Sequence, residues 1–326
     1  MNPKKLVKLI EIARDCGQPI LNIAEQDIDW LPAEIGTLTE LKELNIANNQ
    51  LLSLPPEIGN MTSLEHISIY KNRLTALPSE IGNLTNLETL HLDGNLLSTL
   101  PLEIGNLANL IVLNLDNNRL TTLPREIRNL TSLESLYLSS NKLVNFPGEI
   151  AAPDKLTKLE ELNLANNGLA TLPAEIGNLI NLQMLSLSSN PITSLPKAIA
   201  SLTWLERLMI RKTNLAQADF KGIKFESADF SGSNLSGANF RGSVLKGADL
   251  HGVNMTDADL SNADLSRTNL EDADLTGANL QNTDFTKAQF KNTRFSSKTA
   301  LQAATCEESA IAGIVFTQDD GEPSPE

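Results

Sequence analysis

Two registered repeats of different period, meeting without a linker, constrain this chain more than any other feature. From Gln18 a 23-residue unit recurs, starting at Gln18, Leu41, Leu64, Leu87, Leu110, Leu133, Leu159 and Leu182, with a truncated ninth copy at Leu205. From Thr213 to Ser297 the period is five, and seventeen units follow one another without a gap. Thr213 and Leu215 belong to both patterns. Self-similarity of this kind means that successive turns bury one another, so 326 residues need not divide into domains of ordinary size. The expected architecture is a solenoid with one core continuing through residues 205–220.

In the longer unit, LKELNIANNQLLSLPPEIGNMTS, the first half alternates like a short strand. Leu44 and Ile46 should point inward, and Glu43, Asn45 and Ala47 outward. An asparagine recurs at the ninth position: Asn49, Asn72, Asn95, Asn118, Asn141, Asn167 and Asn190. Among buried leucines such an amide must be hydrogen-bonded, and stacked turns offer it backbone partners. An internal ladder is expected, opened by Gln26 and closed by Thr213. In the second half, prolines from Pro32 to Pro196 fix φ as the chain turns back. Ile35, Ile58, Leu38, Met61 and their equivalents form the outer wall. Three extra residues around Ala151–Asp154 should form a loop on the convex side.

These residues resemble the leucine-rich repeat family over 18–213, and the L-P-x-E-I-G-N-L half is similar to its Ras-group-related subclass. The resemblance implies a right-handed arc with a parallel sheet on its concave side, used mostly for binding proteins.

In the five-residue repeat, large centres run from Leu215, Phe220 and Phe225 to Phe290 and Phe295. A small or β-branched residue, such as Ala218 or Ala228, sits two positions earlier. Gly222, Gly232, Gly237, Gly242, Gly247, Gly252 and Gly277 follow two positions after a centre, and Asp257, Asn262, Asp272, Asn282 and Asn292 take the same place. These residue types tolerate positive φ, which places a turn there. Arg267 and Lys287 occupy the position without that tolerance. The pattern resembles the pentapeptide repeat family. That resemblance implies a right-handed quadrilateral β-helix with four pentapeptides per coil, so that Leu215, Leu235, Met255, Leu275 and Phe295 stack.

The expected organisation is therefore a capping helix over 1–17, leucine-rich repeats over 18–212, a pentapeptide β-helix over 213–297, and a C-terminal cap and acidic tail over 298–326. Asn2 and Pro3 start the helix, Leu6, Leu9, Ile10 and Ala13 share one face, and Gly17 ends it. In the tail, Thr299–Ala304 reads as a short helix and Ala310–Phe316 as a strand that offers a homodimer surface. Gln318–Glu326 reads as disordered.

The net charge of −14 is concentrated in the longer repeats and the tail. Residues 1–204 carry 14 basic and 22 acidic side chains and residues 205–297 carry 11 and 12. This balance argues against nucleic acid or an anionic membrane as partner. Cys16 and Cys306 flank the array and cannot meet in a solenoid, which fits a reducing compartment, and a cytoplasmic, bacterial protein is expected. The N-terminus lacks the apolar run of a signal peptide, and Ala310–Phe316 is far too short to span a bilayer. No phosphate loop, H-E-x-x-H, C-x-x-C or G-x-S-x-G occurs, so neither an enzyme nor a cofactor is expected.

The outward strand positions are the ones the core leaves free. They gather His66, Tyr70, Lys71, His91, Asp93, Asp116, Asn117 and Tyr137, including two of the three histidines and both tyrosines. Tyrosine suits interfaces and histidine responds to pH, so this is the expected site for a protein partner. His66 and His91 lack a third ligand beyond Asp93, and no metal is expected. A secondary basic patch is Arg207, Arg211 and Lys212. The alternative rests on the pentapeptide resemblance, since some members of that family imitate DNA at the sites of type II topoisomerases such as gyrase. The acidic run from Asp257 to Asp274 carries that reading, against a domain that is nearly neutral.

Overall fold

The computed structural model describes residues 2–296, 304–306 and 314–317. The chain falls into two compact units, Met1–Gly168 with Glu175–Leu182, and Leu169–Ala174 with Gln183–Glu326. The change of repeat at residues 205–220 lies inside the second unit.

The first unit opens with helix α1 (Pro3–Asp15). The Asn2 side chain accepts from the Lys4 amide, proline occupies the first turn, and Gly17 leaves the helix at φ +57°. Leu6, Ile10 and Ala13 are buried, while Leu9 is only half-buried. The strands are β1 (Ile20–Asn22), β2 (Glu43–Asn45), β3 (His66–Ser68), β4 (Thr89–His91), β5 (Val112–Asn114), β6 (Ser135–Tyr137) and β7 (Glu161–Asn163). Each pairs in parallel with the next, and the central leucine or isoleucine of every strand is buried. Three-residue strands at a 23-residue period leave the chain to return through a 3₁₀ turn, such as Pro56–Asn60 or Ser79–Asn83. The preceding proline supplies the extended entry, at φ −71° for Pro55. The insertion in the sixth repeat is absorbed after the 3₁₀ turn Gly148–Ala151, and β6 still pairs with β7 with Leu136 opposite Leu162.

The asparagine ladder is present. Asn95 Oδ1 accepts from the Leu74 amide at 3.0 Å, and its Nδ2 donates to Ile69 O at 3.0 Å and Leu92 O at 2.9 Å. The same arrangement repeats at Asn49, Asn72, Asn118 and Asn141. Ala47, expected outward, is fully buried: it lies in the bend where Asn49 Nδ2 reaches its carbonyl at 3.2 Å.

In the second unit β8 (Met184–Ser186) pairs in parallel with β9 (Arg207–Met209). Beyond them, isolated parallel bridges recur at twenty-residue spacing, as in Asn214↔Asn234↔Asn254↔Asp274↔Arg294, which is four pentapeptides per coil. The phenylalanines form two edge-to-face clusters, Phe220, Phe225, Phe230 and Phe240, and Phe285, Phe290 and Phe295. The left-handed position recurs every five residues, and Arg267 and Lys287 adopt it too, each at φ +61°. Coil geometry imposes the turn whatever the side chain, so glycine there lowers strain without being required.

The two periods share this device. In the longer repeats a left-handed residue recurs at the same position of each turn, Glu25, Asn48, Lys71, Gly94, Asn117, Ser140, Asn166 and Ser189, with Asp27, Asp154 and Leu156 in addition in the first and sixth turns. Lys212, at φ +52°, ends that series and begins the five-residue one. Across the change of period the backbone keeps bonding, with Ile210 N to Asp229 O at 2.8 Å and Leu215 N to Asn234 O at 2.8 Å. The ladder does not close at Thr213, whose hydroxyl turns back to Arg211 O. Ser233 takes the rung instead, donating to Ile210 O at 2.7 Å and accepting from the Thr213 amide at 3.1 Å.

At the C-terminal end, β10 (Thr293–Phe295) pairs in parallel with β11 (Ile314–Phe316), and Thr305 bridges to Asp284. The strand expected over Ala310–Phe316 is described only at its end. The helix expected over 299–304 lies outside the described residues except for Ala304, and the acidic tail 318–326 lies outside them altogether.

Candidate binding surface

The strand register sorts the sequence-selected residues into rows across the first unit. His66 lies opposite Thr89, and its Nδ1 is 2.9 Å from Thr89 Oγ1. His91 falls in the neighbouring row, opposite Ser68 and Asn114, and Asn114 is in turn opposite Tyr137. The two histidines therefore do not share a row, and among the described residues no group of metal-binding side chains forms.

Beyond the strand ends the chain bends, and the left-handed residue forms a corner. Lys71 and Asn117 are both corner residues, at φ +51° and +55°. Between them stands Gly94, and a Cβ there would lie 3.2 Å from Lys71 Cγ, so the glycine leaves room for the lysine stem. Lys71 Nζ then sits 6.0 Å from the centre of the Tyr70 ring, a cation–π distance. Asp116 is part-buried and accepts from the Ser139 amide. Burial raises its carboxyl above the usual aspartate range, opposed by the bond from Ser139 and reinforced by the charge of Asp93. Neither Asp93 nor Asp116 has an ion-pair partner among the described residues. Tyr137 donates its hydroxyl to Glu161, and burial together with that bond holds the phenol above its ordinary value.

The secondary basic patch is partly engaged. Arg211 Nε donates to the Asp229 carboxylate in the next coil, and its backbone amide donates to Ser188 Oγ. Arg207 is exposed on β9 and Lys212 is exposed at its corner.

Sequence reasoning passed over the residues just before each strand. Lys42 Nζ lies 2.6 Å from Glu65 Oε1, and that bond, outweighing a small burial effect, holds the Glu65 carboxyl below its usual range. Glu88, Ile111 and Glu134 continue the same row, and together with Lys42, Glu65 and Lys158 they line a shallow groove. The available signal was positional: Lys42, Glu65, Glu88, Ile111 and Glu134 each immediately precede a strand start.

Three leucine-rich repeat models match the chain, a leucine-rich repeat region at 67–162, and leucine-rich repeats at 157–215 and 40–61. The pentapeptide repeats model matches residues 210–242, 223–262 and 258–296. Among curated proteins nothing matches. Among solved structures, a leucine-rich repeat protein of Leptospira interrogans is similar, with 27% identity, 88% of each chain covered and a TM-score of 0.56. The leucine-rich ectodomain of the Arabidopsis thaliana membrane receptor kinase GASSHO1/SCHENGEN3, in complex with Casparian strip integrity factor 2, shares the fold. It has 22% identity and a TM-score of 0.57, covering 81% of this chain and 40% of its own. No helix among the described residues is long and apolar enough to cross a membrane.

Proposed function

We propose that this chain, which joins leucine-rich repeats to pentapeptide repeats in one polypeptide, is a non-enzymatic scaffold of the bacterial cytoplasm. It holds a protein partner on the sheet face of β3–β6. The observation that carries the reading is the placing of Tyr70, Lys71, His91, Asp93, Asp116 and Tyr137 at positions the core does not use. Two aromatic side chains, a cation held over one of them, and a pair of carboxylates without an ion-pair partner among the described residues make a surface suited to selective recognition. Cys16 is an exposed thiol, in keeping with a reducing compartment.

The test is affinity purification from the native host with the wild type and with the triple variant Tyr70→Ala, Lys71→Glu and Asp93→Lys. The partner should be lost while the melting curve is unchanged. Capture retained at wild-type level would remove this face from consideration. The alternative, a pentapeptide modulator of gyrase, draws less support because residues 205–297 are nearly neutral, with 11 basic and 12 acidic side chains, and part of its carboxylates also bond laterally. Asp219, Asp249, Asp259 and Asp272 each accept from an asparagine one coil away. Gyrase supercoiling assayed with micromolar protein decides it, and no inhibition is expected.

A further inference from the structure

We propose that the partner presents an extended basic segment, seated along the groove that borders the strand starts of β3–β6. This inference rests on the protein-binding reading above and names the chemistry of the ligand.

The groove has a charge order. At one end the Lys42 ammonium is already committed to Glu65 at 2.6 Å. Further along come Glu88 and Glu134, with half-buried Ile111 between them. Neither carboxylate is ion-paired among the described residues. Their backbones are fixed by neighbouring turns: the Glu88 amide donates to Glu65 O at 2.8 Å and the Glu134 amide to Ile111 O at 2.9 Å. With Lys42 and Lys158 both in its lining, the groove carries three carboxylates against two ammonium groups, and Glu88 and Glu134 flank its aliphatic floor on rigid supports without an ion-pair partner among the described residues.

Spacing selects the occupant. Glu88 and Glu134 stand two turns apart, which is about 9.6 Å at the separation of adjacent strands. In a polyproline-type extended peptide, three residues span about 9.3 Å and return the side chain to the same side. Arginine or lysine at every third position would therefore meet both carboxylates, while the intervening backbone crosses Ile111. An acidic segment would be repelled by the same row. The Asp93–Asp116 pair across the sheet adds negative potential of the same sign, which attracts a basic ligand on approach.

Isothermal titration of the full chain with the synthetic peptide acetyl-RPPRPPR-amide tests this, with acetyl-EPPEPPE-amide as the opposite-charge probe. The arginine peptide should bind with a micromolar Kd, and the glutamate peptide should not. Glu88→Gln with Glu134→Gln should weaken binding about ten-fold, as expected for losing two partly desolvated charge pairs. Glu103→Gln with Glu149→Gln removes the same charge from the 3₁₀ turns and should leave binding within two-fold. A melting curve confirms that both variants are folded. Equal weakening by both double variants would reduce the effect to net charge and overturn the inference, as would absence of binding to the arginine peptide. If the peptide fails while the Tyr70, Lys71 and Asp93 variant still loses the native partner, only the basic-segment inference falls.

Discussion

The 23-residue turn and the twenty-residue coil solve the same stacking problem with different amounts of freedom. In the longer turn one face is strand, another is a 3₁₀ segment entered through proline, and a buried or half-buried asparagine joins most neighbouring turns through backbone bonds. Different faces carry different rules, and the outward strand positions carry almost none. In the coil the same short rule applies on all four sides: a buried centre, a small inward residue and a left-handed corner. Its remaining polar positions are largely claimed by turns, as where Asp259 Oδ1 accepts from the Ser261 amide at 3.0 Å. Individuality therefore concentrates on the sheet face of the leucine-rich turns, which is the face proposed for the partner.

The contrast can be broken first at the point where the two periods share residues. Leu215 is fully buried, and Leu215→Asp places a charge there without a partner. It should cost more than about 4 kcal/mol and unfold β8–β9 and the pentapeptide coils together, by proteolysis and urea denaturation. Survival of the β8–β9 turns with only the coils lost would separate the two. Next comes the ladder. Asn95→Ala leaves the buried Leu74 amide without its acceptor and removes one of two amide donors at both Ile69 O and Leu92 O, and should cost roughly 3 kcal/mol, whereas Asn269→Ala, removing part-buried bonds to Asp249 and from the Glu271 amide, should cost about 1 kcal/mol. Similar losses at the two sites would contradict the contrast.

Glycine sharpens it further. At Gly82 an added Cβ would meet Glu103 O at 2.5 Å, whereas at Gly242 it would meet nothing within 4 Å. Gly82→Ala should therefore cost about 2–3 kcal/mol through a backbone shift, and Gly242→Ala about 1 kcal/mol through its positive φ alone. The smallest effect is electrostatic. Because burial raises the Asp116 carboxyl in the folded state, its contribution is favourable at low pH and is lost as pH rises through the folded value. Asp116→Asn should therefore raise stability by less than about 1 kcal/mol at pH 7, with the gain vanishing below about pH 4, where the unfolded carboxyl is also protonated. Thermal melts of both proteins across that range provide the check.

Much of the fold was legible because buried positions repeat. The inward leucines, the asparagine ladder and the capping helix follow from period and residue type, and the four-pentapeptide coil from the resemblance to the pentapeptide repeat family. What escaped depends on contacts between turns. Ala47 reads as an outward position by alternation, yet the bend after β2 buries it. Ser233 looks like one more small pentapeptide residue, but one coil above Thr213 it inherits the rung. Arg267 and Lys287 looked like exceptions because residue preference was taken for necessity. The outward patch was legible as a set of positions, while the opposition of Asn114 to Tyr137 and the bond from Tyr137 to Glu161 required the register.

The central claim, that recognition belongs to the sheet face of the leucine-rich turns, is tested most directly by hydroxyl-radical footprinting of the chain with and without its captured partner. Tyr70, His91 and Tyr137 should lose reactivity on binding, while exposed His251 on the pentapeptide coils should not change. Protection at His251 with the tyrosines unaltered would contradict the account.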